Sequence, residues 1–93
     1  MQKLNDTELK EAIAKLPGWR LAEGKLLRDF VFADFKAAMV FVNRIAEVAE
    51  SVGHHPDIDI RYNKVRLGLV THDAGGITAK DAEMAGRLSQ SVE

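Results

Sequence analysis

The stretch SVGHHPDID, residues 51–59, sets two of the chain's three histidines, His54 and His55, directly before Pro56. The third, His72, follows Thr71 in LVTHDAGG. An imidazole has an ordinary pKa of about 6.5, so it gives and takes protons near neutrality. Carboxylates stand nearby in sequence: Glu50 lies one helical turn before His54, and Asp81 falls in the first turn of the helix expected after His72. Either could orient or charge-stabilise an imidazole, and such a cluster suits proton transfer. Taken alone, a His pair before proline is an ordinary polar turn, and Asp81 is a helix-capping residue. Other chemistries are poorly provided for. Adjacent histidines lack the spacing that aims two rings at one ion, and without cysteine there is no thiolate ligand or nucleophile, so no metal site is expected. Gly75-Gly76 is too little for a phosphate loop, and neither a Ser-His-Asp order nor a basic-aromatic patch is present.

The elements that must position these groups follow from hydrophobic period and punctuation. Asn5 and Glu8 have capping-box spacing ahead of Leu9, Ile13 and Leu16, so a first helix is expected, ended by Pro17-Gly18. Trp19 to Leu21, the turn AEGK and the run LLRDFVF read as a hairpin. Asp34 caps a long helix to about Val52, with Phe35, Ala38, Met39, Val42, Ile45, Ala46 and Ala49 on one stripe, widened by Phe41, Val48 and Val52. Gly53 ends it, since glycine takes positive φ at little cost. DIDIRY and VRLGLVT alternate as a second hairpin, for which a turn at Asn63-Lys64 is expected. Thr78 and Asp81 open a last helix in which Ala82, Ala85, Leu88 and Val92 share a face. The order α-ββ-α-ββ-α predicts an α+β fold, a four-stranded antiparallel sheet with its helices packed on one face.

In that topology the second hairpin carries His72 back toward His55, so the three imidazoles are expected at one end of the sheet. Pro56 holds His55 extended, and successive extended side chains point apart. The two rings share a pocket only if the chain twists locally.

The 93 residues predict a single domain, 1–93, near the size where association with a second copy helps stability. The apolar arc of the long helix is wide enough to cover more than its own sheet. With 13 Lys and Arg against 14 Asp and Glu, the formal net charge is -1, which argues against nucleic acid or an anionic membrane as partner. The first residues, MQKLNDTELKEA, lack the apolar core of a signal peptide, and a cytoplasmic protein is expected.

Residues 49–78, AESVGHHPDIDIRYNKVRLGLVTHDAGGIT, resemble the signature of the pterin-4a-carbinolamine dehydratases. The resemblance rests on Glu50-x-x-x-His54-His55-Pro56, on Tyr62-Asn63-Lys64-Val65, on Thr71-His72 and on a Gly-Ile-Thr turn with Asp81 beyond it; LPGW at Leu16 to Trp19 extends it. It implies the same fold, in dimers or tetramers. It also implies loss of water from 4a-hydroxytetrahydropterin, the product of aromatic amino acid hydroxylases, to give quinonoid dihydropterin. By that likeness His54, His55 and His72 surround the pterin as catalytic groups; His54 as acid with His55 or His72 as base is one assignment, and the sequence does not rank the three. Glu50, Pro56, Thr71, Lys80 and Asp81 bind substrate or support them. No cofactor or metal is implied, the reduced pterin being the substrate. Gly53 stands where many relatives carry an acidic residue and Lys80 where vertebrate members carry arginine, which keeps the charge but loses a two-pronged donor. Because vertebrate relatives also serve as dimerisation cofactors of a transcription factor, an oligomeric co-regulator module is the alternative reading.

Overall fold

A computed structural model describes residues 2–92; residues 1 and 93 lie outside that description. Chain order runs α1 (Asp6–Ala14), β1 (Arg20–Ala22), β2 (Lys25–Val31), α2 (Phe35–Val52), β3 (Asp57–Arg61), β4 (Lys64–Leu69) and α3 (Ala79–Gln90), with one 3-10 turn at His72–Ala74 before α3. The strands form one sheet in the order β1-β2-β4-β3, every pairing antiparallel. This is the α+β arrangement that the periodicity predicts.

Local chemistry explains where each helix begins. Asn5 caps α1 in a reciprocal box with Glu8, each side chain bonded to the other's backbone N–H at 2.8 Å. Asp34 Oδ1 accepts from Ala37 N at 2.8 Å and starts α2. Gly53, at φ 69°, stops α2 in the left-handed conformation that only glycine adopts cheaply.

One face of the sheet meets the helices. Leu26, Phe30, Val65, Leu67 and Leu69 lie against Ala38, Phe41, Ile45 and Ala49 of α2 and Met84 and Leu88 of α3. α2 crosses β4 and α3 crosses β2, so the two central strands are covered. The first hairpin is pinned to α3 through Ser89, whose Oγ accepts from Trp19 Nε1 at 2.8 Å and Arg28 Nη1 at 3.0 Å. The other sheet face is charged. Asp29 takes Arg66 Nε at 2.6 Å and Arg20 Nη1 at 3.3 Å, and Lys25 Nζ donates to Asp57 at 2.7 Å. The Arg66 hydrogen bond, with help from Arg20, holds the Asp29 carboxyl below its ordinary 3.8. Leu27 is buried on this face because Gly68 opposite it has no Cβ; one would stand 3.0 Å from Leu27 Cδ2.

Three details differ from the sequence reading. The second turn is Tyr62-Asn63, not Asn63-Lys64, because Lys64 pairs with Arg61 as the first residue of β4. Asn63 fixes that register through Phe32, its Nδ2 donating to the Phe32 carbonyl at 2.9 Å while Phe32 N donates to its carbonyl at 2.8 Å. Val92 lies past the end of α3 and is exposed. Phe35 and Ala46 are also exposed, so the buried stripe of α2 is narrower than its apolar arc. No helix among the described residues is long and apolar enough to cross a membrane.

Ile45 is fully buried between α2 and the sheet, so Ile45→Ala should lower unfolding free energy by about 2–5 kcal/mol in chemical denaturation. Asp29→Asn should cost less than about 1 kcal/mol at pH 7, since its ion pairs are half exposed. Because the folded carboxyl titrates below its unfolded value, that contribution is complete above the ordinary carboxylate range. It is lost as pH falls through the folded value, so denaturation curves of the two proteins should converge in acid.

Candidate functional site

The end of α2 and the start of α3 create the site. Once Gly53 turns the chain out of α2, His54 drops beneath the helix end, where 9% of its surface stays exposed. Its Nε2 lies 2.6 Å from Asp81 Oδ1, in hydrogen-bond contact. Asp81 is the third residue of α3 and is fully buried. Its Oδ2 accepts from Thr78 N and from Thr71 Oγ1, both at 2.8 Å. One carboxylate therefore caps α3 with one oxygen and holds an imidazole with the other. The sequence offers capping and site support as competing roles for Asp81; the geometry gives it the cap and, with its other oxygen, a contact with His54.

Thr71 reaches Asp81 because its loop closes on itself. Thr71 N donates to Gly76 O at 3.0 Å and Gly76 N donates back at 3.3 Å, an antiparallel bridge that encloses the His72–Ala74 turn. Thr71 Oγ1 also lies 2.9 Å from the Oγ1 of Thr78, which is fully buried. Among the described residues no buried side-chain polar atom lacks a partner, so this network is satisfied as it stands.

His55 goes the other way. Its ring is exposed, with Nε2 2.5 Å from Glu50 Oε2, and both side chains stand in solvent. Glu50 thus serves His55 and not its i+4 neighbour His54, because the αL turn at Gly53 breaks the helical spacing before it reaches His54. His72 lies in the 3-10 turn beside Thr71, exposed, and its ring makes no hydrogen bond within the described residues. Pro56 is partly buried just before β3.

A surface cleft of about 160 Å³ opens beside His54, lined by Val52, Lys80, Glu83, Met84 and Arg87. Of these, only Lys80 stood out in the sequence. Lys80, Glu83, Met84 and Arg87 repeat at three- and four-residue intervals, so one stripe of α3 walls the cleft; that spacing was the available signal. The charges facing His54 are accordingly Asp81, Lys80, Glu83 and Arg87. A wider depression of about 470 Å³ on the charged sheet face, among Asp29, Asp59, Arg61 and Arg66, holds none of the histidines. No group of three or more His, Cys, Asp or Glu among the described residues is arranged to hold a metal ion.

The chain is similar to many known proteins. The family model for pterin 4 alpha carbinolamine dehydratase matches residues 2–91. Proteins named as proposed pterin-4-alpha-carbinolamine dehydratases in Acidobacterium capsulatum and a Nostoc species are each 52% identical to this chain. The alignments cover 95% of this chain and 96% of the first relative, and 96% of both chains for the second. A crystal structure from Brucella melitensis, described as a transcriptional coactivator/pterin dehydratase, superposes with a TM-score of 0.93 at 34% identity; the match covers 99% of this chain and all of that one.

Removing the Asp81 carboxylate takes away a helix cap and leaves His54 buried without its partner. Asp81→Ala should lower unfolding free energy by about 2–4 kcal/mol in urea titrations. Glu50→Ala, which breaks an exposed pair, should cost no more than about 1 kcal/mol in the same measurement.

Proposed function

The chain belongs to the pterin 4 alpha carbinolamine dehydratase family, whose named activity is that of a hydro-lyase, and we propose that it dehydrates a 4a-hydroxytetrahydropterin to the quinonoid dihydropterin. The observation that carries this reading is the buried His54–Asp81 pair, which borders an open cleft one residue from a second, carboxylate-paired imidazole. The reaction must protonate the hydroxyl on C4a so that it leaves as water, and must remove the proton from the neighbouring ring nitrogen N5 as the C4a=N5 double bond forms. An acid and a base on either side of a flat ring system meet that need, each contributing about 10²–10⁴-fold.

In this reading His54 donates to the departing hydroxyl. Its hydrogen bond to Asp81 orients the ring for transfer, and the cleft wall of Val52 and Met84 gives the pterin an apolar surface. His55, backed by Glu50, or His72 takes the N5 proton; both are exposed, one just before β3 and one just after β4, where Asp57 pairs with Gly68. Thr71 supports Asp81, Pro56 stiffens the chain after the His pair, and Lys80 offers a donor to the polar edge of the pterin. The substrate comes from the aromatic amino acid hydroxylases that use the reduced pterin, and the dehydration returns it toward use.

We place a self-association surface at β3. All five of its residues are exposed, and Ile58 and Ile60 share the helix-side face with Leu67 and Val65 yet lie beyond the cover of α2. An unpaired edge strand with two isoleucines on its inner face invites a second copy, and the half-exposed Phe35 and Val40 of α2 add apolar area.

The direct test generates the 4a-carbinolamine with a hydroxylase and follows its decay by absorbance. The chain should accelerate decay, and His54→Ala or His72→Ala should remove at least tenfold of that acceleration. An unchanged decay rate with the native chain overturns the reading. Size measurement at micromolar concentration should give a dimer or tetramer, and Ile58→Lys with Ile60→Lys should shift it toward the monomer. A native chain that is monomeric there overturns the β3 assignment.

A further inference from the structure

Counting hydrogens in the network behind His54 gives it a direction. Thr78 Oγ1 already accepts from Lys80 N at 3.3 Å at the start of α3. Thr71 Oγ1 spends its one hydroxyl proton on Asp81 Oδ2 at 2.8 Å. The 2.9 Å contact between the two threonine oxygens therefore needs its proton from Thr78, because a hydroxyl has only one to give. Asp81 Oδ2 is then filled by two donors, the Thr71 hydroxyl and Thr78 N, and the partner left for Oδ1 is His54 Nε2. His54, Thr78 and Asp81 are buried and Thr71 is partly so, which strengthens each hydrogen bond in the chain.

We infer that Thr78 is a positioning residue for His54: the ordered chain Thr78 to Thr71 to Asp81 fills Oδ2, keeps Oδ1 aimed at the ring, fixes the neutral ring as its Nε2–H tautomer, and leaves Nδ1 as the nitrogen that takes up a proton and passes it to the departing hydroxyl. This rests on the dehydratase reading only for what Nδ1 does; the tautomer itself is a property of the resting protein. Thr78 touches no reacting atom. It acts through two other residues, and the same hydroxyl that accepts from the first turn of α3 starts the chain. Capping accounts for the acceptor half of the Thr78 hydroxyl. The donor half, aimed across to Thr71, is what sets the direction.

The experiment is long-range nitrogen-15 correlation on the uniformly labelled full chain above the titration of its imidazoles, with the histidines assigned by His54→Gln, His55→Gln and His72→Gln. The wild-type ring of His54 should be protonated at Nε2 and bare at Nδ1. Thr78→Val keeps the shape and removes the hydroxyl. It should bring a measurable share of the Nδ1–H form and lower kcat about tenfold with KM within about twofold, the size expected for one lost orienting hydrogen bond. Thr78→Ser should restore both. Thr71→Val breaks the chain in the middle without disturbing the cap on α3 and should show the same tautomer mixing, so the inference is decided even if Thr78→Val does not fold. A wild-type His54 carrying its proton on Nδ1, or a folded Thr78→Val and Thr71→Val with wild-type tautomer and kcat, overturns it. A ring with the expected tautomer in a chain that does not speed dehydration overturns the dehydratase reading and leaves this inference standing.

Discussion

The structure of the site depends on one buried carboxylate answering two demands. α3 must begin with its first N–H groups satisfied, and His54 must be held after α2 has ended; Asp81 does both with its two oxygens. A buried carboxylate is costly unless every lone pair is used, and here three donors converge on it. This coupling ties the geometry of the imidazole to the place where a helix starts. It also explains the part played by Thr71, which the Thr71–Gly76 bridge in the loop before α3 holds in reach of the carboxylate. Fold and site cannot be separated at this residue, since the group that orients the ring is also a structural cap.

The sheet supplies the platform. β2 and β4 are covered by α3 and α2, and their burial fixes the end of the molecule where β4 runs out and the loop to α3 begins. Gly53 supplies the second fixed point. Because it reverses the chain at positive φ, the residues after it are released from helical geometry, and two neighbouring histidines can be sent to different partners. His54 goes inward to α3, while His55 returns over the last turn of α2 to Glu50.

Much of this was legible in the residues. Caps at Asn5, Asp34 and Thr78, the glycine stop at Gly53 and the alternation in both hairpins each follow from local chemistry, so the element order could be read directly. The side-chain partners were less legible, because spacing describes a helix only while it lasts. Glu50 and His54 are four apart, but the helix stops at Gly53, and the carboxylate meets His55 instead. The turn at Tyr62-Asn63 was misplaced by one residue for a tertiary reason: the clasp between Asn63 and Phe32 couples two strands that are distant in sequence. The apolar arc of α2 overstates its buried stripe, because Phe35 and Ala46 face outward and how much of a helix a sheet covers depends on where the sheet ends.

The parting of His54 and His55 has an electrical consequence. Two successive imidazoles, each on its own carboxylate, sit in different dielectrics: one pair is enclosed by protein, the other stands in water with side chains 62% and 77% exposed. Dissolved ions screen exposed charges over a distance of about 8 Å at physiological salt and reach buried pairs far less. When both rings carry a proton, added salt thus loosens the outer imidazole from its carboxylate while the inner one keeps its hold.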